Sequence, residues 1–158
     1  MNNLNLSQRL EKMNLREKEY SEMLLRTVEK FRHPVLAALF TAVALDSLKH
    51  SRMYESLVKL IKTEPPFLTE EEYREISESI EHHIKTEADM IRQTQELIEQ
   101  ASDSRCKLIL EAIYKDEITH HQLLTMIKEK LAKKELLSEE VLWDSIWKES
   151  PWHGTPGG

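Results

Sequence analysis

Glu117 and His120 stand three residues apart in Glu117-Ile-Thr-His120, and His83 stands four residues before Glu87. On a helix, either spacing places both side chains on one face about a turn apart, aimed at a common point. Glu17 and His50 occupy comparable places, each roughly midway along an apolar stripe. Those stripes read Leu10, Met13, Glu17, Tyr20, Leu24; Val43, Ser47, His50, Tyr54; Ile80, His83, Glu87, Met90, Thr94, Leu97; and Leu110, Ile113, Glu117, His120, Leu124, Ile127, Leu131. Each stripe puts a polar or ionisable residue where its period calls for an apolar one. An unpaired buried carboxylate or imidazolium is prohibitively costly, so such residues must satisfy one another or hold cations. Three carboxylates and three imidazoles supply hard oxygen and borderline nitrogen donors, which suit iron, manganese or zinc better than magnesium or calcium. Taken singly, each is more often a half-exposed boundary residue; the six together point to a shared metal site.

Four helices must carry these residues. The first is expected over about 4–31 and is broken by His33-Pro34, where Pro34 suits the first position of the next helix. The second runs to about Thr63, and Pro65-Pro66 ends it. Thr69 with Glu72 three residues later is a capping box for a third helix reaching about Gln100. The Ala101-Ser-Asp-Ser104 break precedes a fourth, to about Lys134. Ser138 caps a short final helix through Trp147, followed by a tail rich in Pro and Gly. Short connections within each pair and a longer one between them predict an all-α antiparallel four-helix bundle of two helical hairpins. Its domain limits are 1–135 for the bundle and 136–158 for the short helix and tail. Trp143, Trp147 and Trp152 anchor that tail on its own bundle or on a neighbouring subunit, unless it is a chain end without fixed structure.

The composition agrees. With 158 residues the chain has the length of one ordinary domain, and 3 Gly, 5 Pro and 32% charged residues favour long helices over a sheet. A net charge of −6 offers no basic footprint for nucleic acid. The single Cys106 excludes an intrachain disulfide and any four-cysteine metal site, and reads as a packed, inert thiol. The N-terminal residues lack a signal-like apolar run, and the apolar-rich stretch 35–45 is too short for a membrane helix, so the expectation is a soluble, cytoplasmic protein.

The two hairpins are also copies of one another. An ungapped shift of 70 residues lays Leu10 on Ile80, Glu17 on Glu87, Val28 on Ile98, Asp46 on Asp116 and His50 on His120. A constant offset that preserves both the apolar stripe and the acid and histidine positions is the mark of an internal repeat.

At these residues the chain resembles the ferritin-like superfamily, and within it the rubrerythrin-like di-iron bundles. That pattern takes one Glu from each of two helices and a Glu-x-x-His from each of the other two. The resemblance spans about residues 8–132. It implies Glu17 and Glu87 as single carboxylates and Glu117 with His120 as one Glu-x-x-His. The other reads Ser47-Leu-Lys-His50, so a carboxylate that commonly bridges two metals is missing, with His83 as a compensating donor. The resemblance also implies that Asp46 and Asp116 hydrogen-bond the histidines of opposite helices and fix their tautomers. The function it implies is a di-iron or mixed dimetal oxidoreductase acting on dioxygen, peroxide or ferrous iron. Such a protein is expected to be a homodimer or higher homo-oligomer, and without a four-cysteine module it needs a separate electron donor. Two other readings stand beside it. One is a metal-binding or storage bundle holding one iron, zinc or manganese ion; the other is an interaction bundle whose polar core fixes helix pairing.

Overall fold

The computed structural model describes residues 3–63 and 68–132. They form four helices, α1 (Asn3–Val28), α2 (Pro34–Lys62), α3 (Glu70–Gln100) and α4 (Ser104–Ala132), with no strand among the described residues. The all-α class and the four expected segments are therefore present. The short helix expected over 138–147, and the tail after it, lie outside the described residues.

Local chemistry sets the helix limits. After α1 the N–H groups of Lys30 and Phe31 donate to the carbonyls of Thr27 and Val28, a tightened turn that uses otherwise orphaned helix-end carbonyls. His33 is extended (φ −84°, ψ 116°), as a residue before proline must be, and Pro34 opens α2. The rings of Phe31 and Phe40 meet edge-on at 4.9 Å across this turn. At α3 the capping box forms: Thr69 Oγ1 accepts from the Glu72 N–H and the Glu72 carboxylate accepts from the Thr69 N–H at 2.8 Å. Ahead of α4, the Asp103 carboxylate accepts from the Arg105 N–H at 2.8 Å and from the Arg105 guanidinium. These Arg105 contacts hold Asp103 far below the usual carboxylate range.

The chain divides into two compact units, one holding α1, α2 and residues 103–109, the other α3 and α4 from Leu110. In the first, α1 and α2 meet through small residues: Ser7, Ser21, Ala44, Ser47 and Ser51 are buried, with Leu24 the large side chain among them. Small side chains let two helix backbones approach closely. The Ser51 hydroxyl donates to Asn14 Oδ1 at 2.6 Å across the pair, and Lys62 pairs with Glu11 nearer its ends. In the second unit Ile80, Thr94 and Leu131 are buried. The Tyr73 hydroxyl there donates to the Leu131 carbonyl at 3.2 Å, and Lys128 pairs with Glu81.

The face that each helix turns inward departs from the expected stripe in one consistent way. Positions seven apart are kept: Ile80, Glu87 and Thr94 on α3, Leu110, Glu117, Leu124 and Leu131 on α4. The positions between them move on by one residue. Ile84, Ile91 and Ile98 are partly buried, while His83, Met90 and Leu97 are exposed; on α4 Tyr114 and His121 are partly buried, while Ile113 and His120 are exposed. In the first unit Ala44 and Ser51 are buried, while Val43 and His50 are exposed. Both edges of this broad face are apolar or imidazole-bearing, so periodicity alone does not say which edge meets the partner helix.

Candidate metal centre

Each hairpin brings a carboxylate of its first helix to a histidine of its second. In the α1–α2 unit, His50 Nδ1 lies 3.6 Å from Glu17 Oε1. In the α3–α4 unit, His120 Nδ1 lies 3.9 Å from Glu87 Oε2. The two pairs occupy equivalent places in the 70-residue repeat, so the duplication read from the sequence is also a duplication of side-chain geometry.

The units differ in the residue one turn before the histidine. In the second it is Glu117, whose Oε2 lies 3.7 Å from His120 Nδ1. One donor atom from each of Glu87, Glu117 and His120 lies within 4.8 Å of the other two. The carboxylates are largely covered, with side-chain exposures of 19% for Glu87 and 12% for Glu117, whereas His120 is half exposed. Glu87 Oε2 and Glu117 Oε2 are both buried without a hydrogen-bond partner. Burial is the largest influence raising the Glu117 pKa, the adjacent Glu87 carboxylate adds to it, and His120 acts in the opposite direction. Two carboxylates turned toward each other under cover hold a proton tightly or accept a cation, and two oxygens with one imidazole nitrogen suit iron, manganese or zinc.

In the first unit the equivalent position is Ser47, which is buried. A hydroxyl adds neither charge nor a strong metal donor. The Glu17–His50 pair instead borders an open cleft of about 690 Å³ lined also by Arg16, Glu19, Tyr20 and Ser47. Arg16 forms no part of the sequence-derived site, and adjacency to Glu17 is its only signal; Glu19 and Glu22 lie close enough to Glu17 in sequence that a shift of register would exchange them. Glu17, rather than Glu19 or Glu22, meets the histidine, since Glu19 is exposed and Glu22 faces Arg26 on its own helix.

The remaining candidates stand apart from the three-donor group. His83 is exposed and is not among its members, and its ring lies 6.0 Å from that of His82. Asp46 pairs with Lys49 on α2, and Asp116 is exposed. Cys106, expected to be packed, is exposed: it lies in the first turn of α4. No helix among the described residues is long and apolar enough to cross a membrane. Comparisons with protein-family models, curated proteins and solved structures return no match.

Proposed function

We propose that this chain is a metal-binding helical protein whose ion is held in the α3–α4 unit by Glu87, Glu117 and His120. The observation that carries the reading is the pair of buried, unpartnered oxygens, Glu87 Oε2 and Glu117 Oε2, beside the His120 imidazole. The two carboxylates neutralise a divalent cation, and His120 adds a nitrogen donor at the half-exposed edge of the group, where small molecules have access. Iron held there would supply one-electron chemistry toward dioxygen or peroxide, the ferritin-like oxidoreductase reading, with electrons from a separate donor. Zinc or manganese on the same donors makes a binding or storage site. Glu17 and His50 form a two-donor counterpart in the first unit, weaker because Ser47 brings no carboxylate. Elemental analysis of purified protein, followed by oxygen and peroxide turnover after anaerobic ferrous loading, separates these outcomes.

One observation favours a metal-free reading. The raised Glu117 pKa suits a carboxyl–carboxylate pair sharing a proton, a polar core that fixes helix pairing without an ion. A chain that takes up no iron, zinc or manganese would support it.

A further inference from the structure

One exposed face of α1 has a pattern that complements itself when reversed. Leu15, Lys18, Glu22 and Leu25 follow at steps of three, four and three, so they share one side of the helix, and all four are exposed. Counted around each helix from the buried Ser21 and Ala44, this side is the flank opposite to Glu17 and His50. On α2 it continues into Leu45 and Leu48, which are exposed too. The internal repeat supplies a control. An offset of 70 residues puts Lys85, Arg92 and Gln95 at the places of Leu15, Glu22 and Leu25, and Lys115 at that of Leu45, all of them exposed. The second hairpin thus carries polar side chains where the first keeps leucines. The leucines of this flank are therefore set apart from the apolar residues scattered singly over the other helices.

We propose that this face is covered by the same face of a second copy of the chain, the two α1 helices lying antiparallel about a two-fold axis level with residue 20. A two-fold axis brings residue i of one copy to residue j of the other, and j to i. Centred at residue 20, it sets Leu15 against Leu25 of the partner subunit and Lys18 against Glu22 of the partner subunit, each contact being made twice. Apolar side chains then meet apolar ones and opposite charges meet, with Leu45 and Leu48 widening the apolar area. A partner of a single charge sign would leave either Lys18 or Glu22 against a like charge. Glu22 is loosely held in the single chain, 4.0 Å from Arg26 with both side chains more than half exposed, so it can change partners on association. The proposal is independent of the metal reading, since it rests on the outer flank of the first hairpin alone.

Sedimentation of the full-length chain over a concentration series tests it. We expect a reversible dimer. The double variant Leu15→Lys, Leu25→Gln, which takes the residues of the second hairpin at those positions, should sediment as a monomer with its far-ultraviolet helical signal intact. Lys18→Glu and Glu22→Lys should each weaken the dimer by ~10-fold or more, because like charges then meet twice across the axis. An equimolar mixture of these two variants should associate as tightly as the unaltered chain, since every 18–22 contact between them joins opposite signs. A monomer at all concentrations would overturn the proposal and give the face to another part of this chain. So would a dimer that survives the double leucine variant, which would place the contact elsewhere. A mixture that associates no better than either charge variant alone would overturn the antiparallel pairing.

Discussion

Ser47 and Glu117 occupy the same place in the two hairpins, each one turn before a histidine that faces a glutamate of the preceding helix. Around Glu117 the donors number three and two buried oxygens are unpartnered; around Ser47 there are two donors and an open cleft. One side chain thus separates a site with the charge and donor count for a cation from one without.

Ser47→Glu should therefore give the first hairpin the donor set of the second. In the metal-free chain the substitution should cost ~2 kcal/mol or more, because it buries a carboxylate beside Glu17. Thermal unfolding with and without zinc or ferrous iron measures this. We expect the variant to lose stability without metal, to regain it with metal, and to carry more metal per chain than the unaltered protein. A variant whose metal content is unchanged would show that position 47 is not the limiting donor.

The second hairpin should be stabilised by its ion through mass action, by ~2.7 kcal/mol at a free-metal concentration a hundredfold above the dissociation constant. Chelation should lower the melting temperature of the loaded protein by roughly 5–10 °C for a chain of this size. In His120→Ala the chelator should have a much smaller effect. Equal chelator shifts in both proteins would assign the stabilisation to another site.

If Glu87 and Glu117 hold an ion as proposed, protons and metal compete for the same oxygens. A carboxyl whose folded-state pKa is raised gives stability that is fully present below its unfolded pKa and is lost as pH rises through its folded pKa. For Glu117, raised by burial and by Glu87, this means that the metal-free protein should become less stable as pH climbs above the usual carboxylate range. Metal affinity should rise over the same window, since the ion binds the deprotonated site. Denaturation at a series of pH values, in chelator and in saturating zinc, should give curves of opposite slope. With Glu117→Gln the slope in chelator should flatten.

Much of this arrangement is legible in the residues. Pro34, the Thr69–Glu72 box and the break at 101–104 each mark a helix limit through backbone chemistry that acts locally, and α2, α3 and α4 begin where these signals lie. Glu17, Glu87 and Glu117 sit at positions shared by every version of the stripe, so their inward placement was readable too. The exposure of the histidines was not, nor was the separation of His83 from the donor group. His83, His50 and His120 lie on the edge of a broad face, and whether that edge meets the partner helix depends on how closely the helices approach. In the first hairpin, the buried Ser7, Ser21, Ala44 and Ser51 show that the small-residue edge is the one in contact. Small polar residues carry little hydrophobic signal, so a periodicity of apolar residues passes over them.

The helix caps offer a test of the local readings. Thr69→Ala removes the acceptor for the Glu72 N–H and should cost ~1 kcal/mol, and Asp103→Ala should cost a similar amount by freeing the Arg105 N–H. Urea unfolding of the metal-free chains would read both. A loss below a few tenths of a kcal/mol would mean that these ends fray in solution.

The central claim is that Glu87, Glu117 and His120 hold an ion, and calorimetric titration of chelator-stripped protein with zinc or, anaerobically, with ferrous iron tests it most directly. We expect about one tightly bound ion per chain, with affinity falling in Glu117→Gln by more than the ~10–100-fold that follows loss of a group that only orients a ligand. Failure of the unaltered chain to bind any of iron, zinc or manganese, or binding to Glu117→Gln with undiminished affinity and stoichiometry, would contradict the claim.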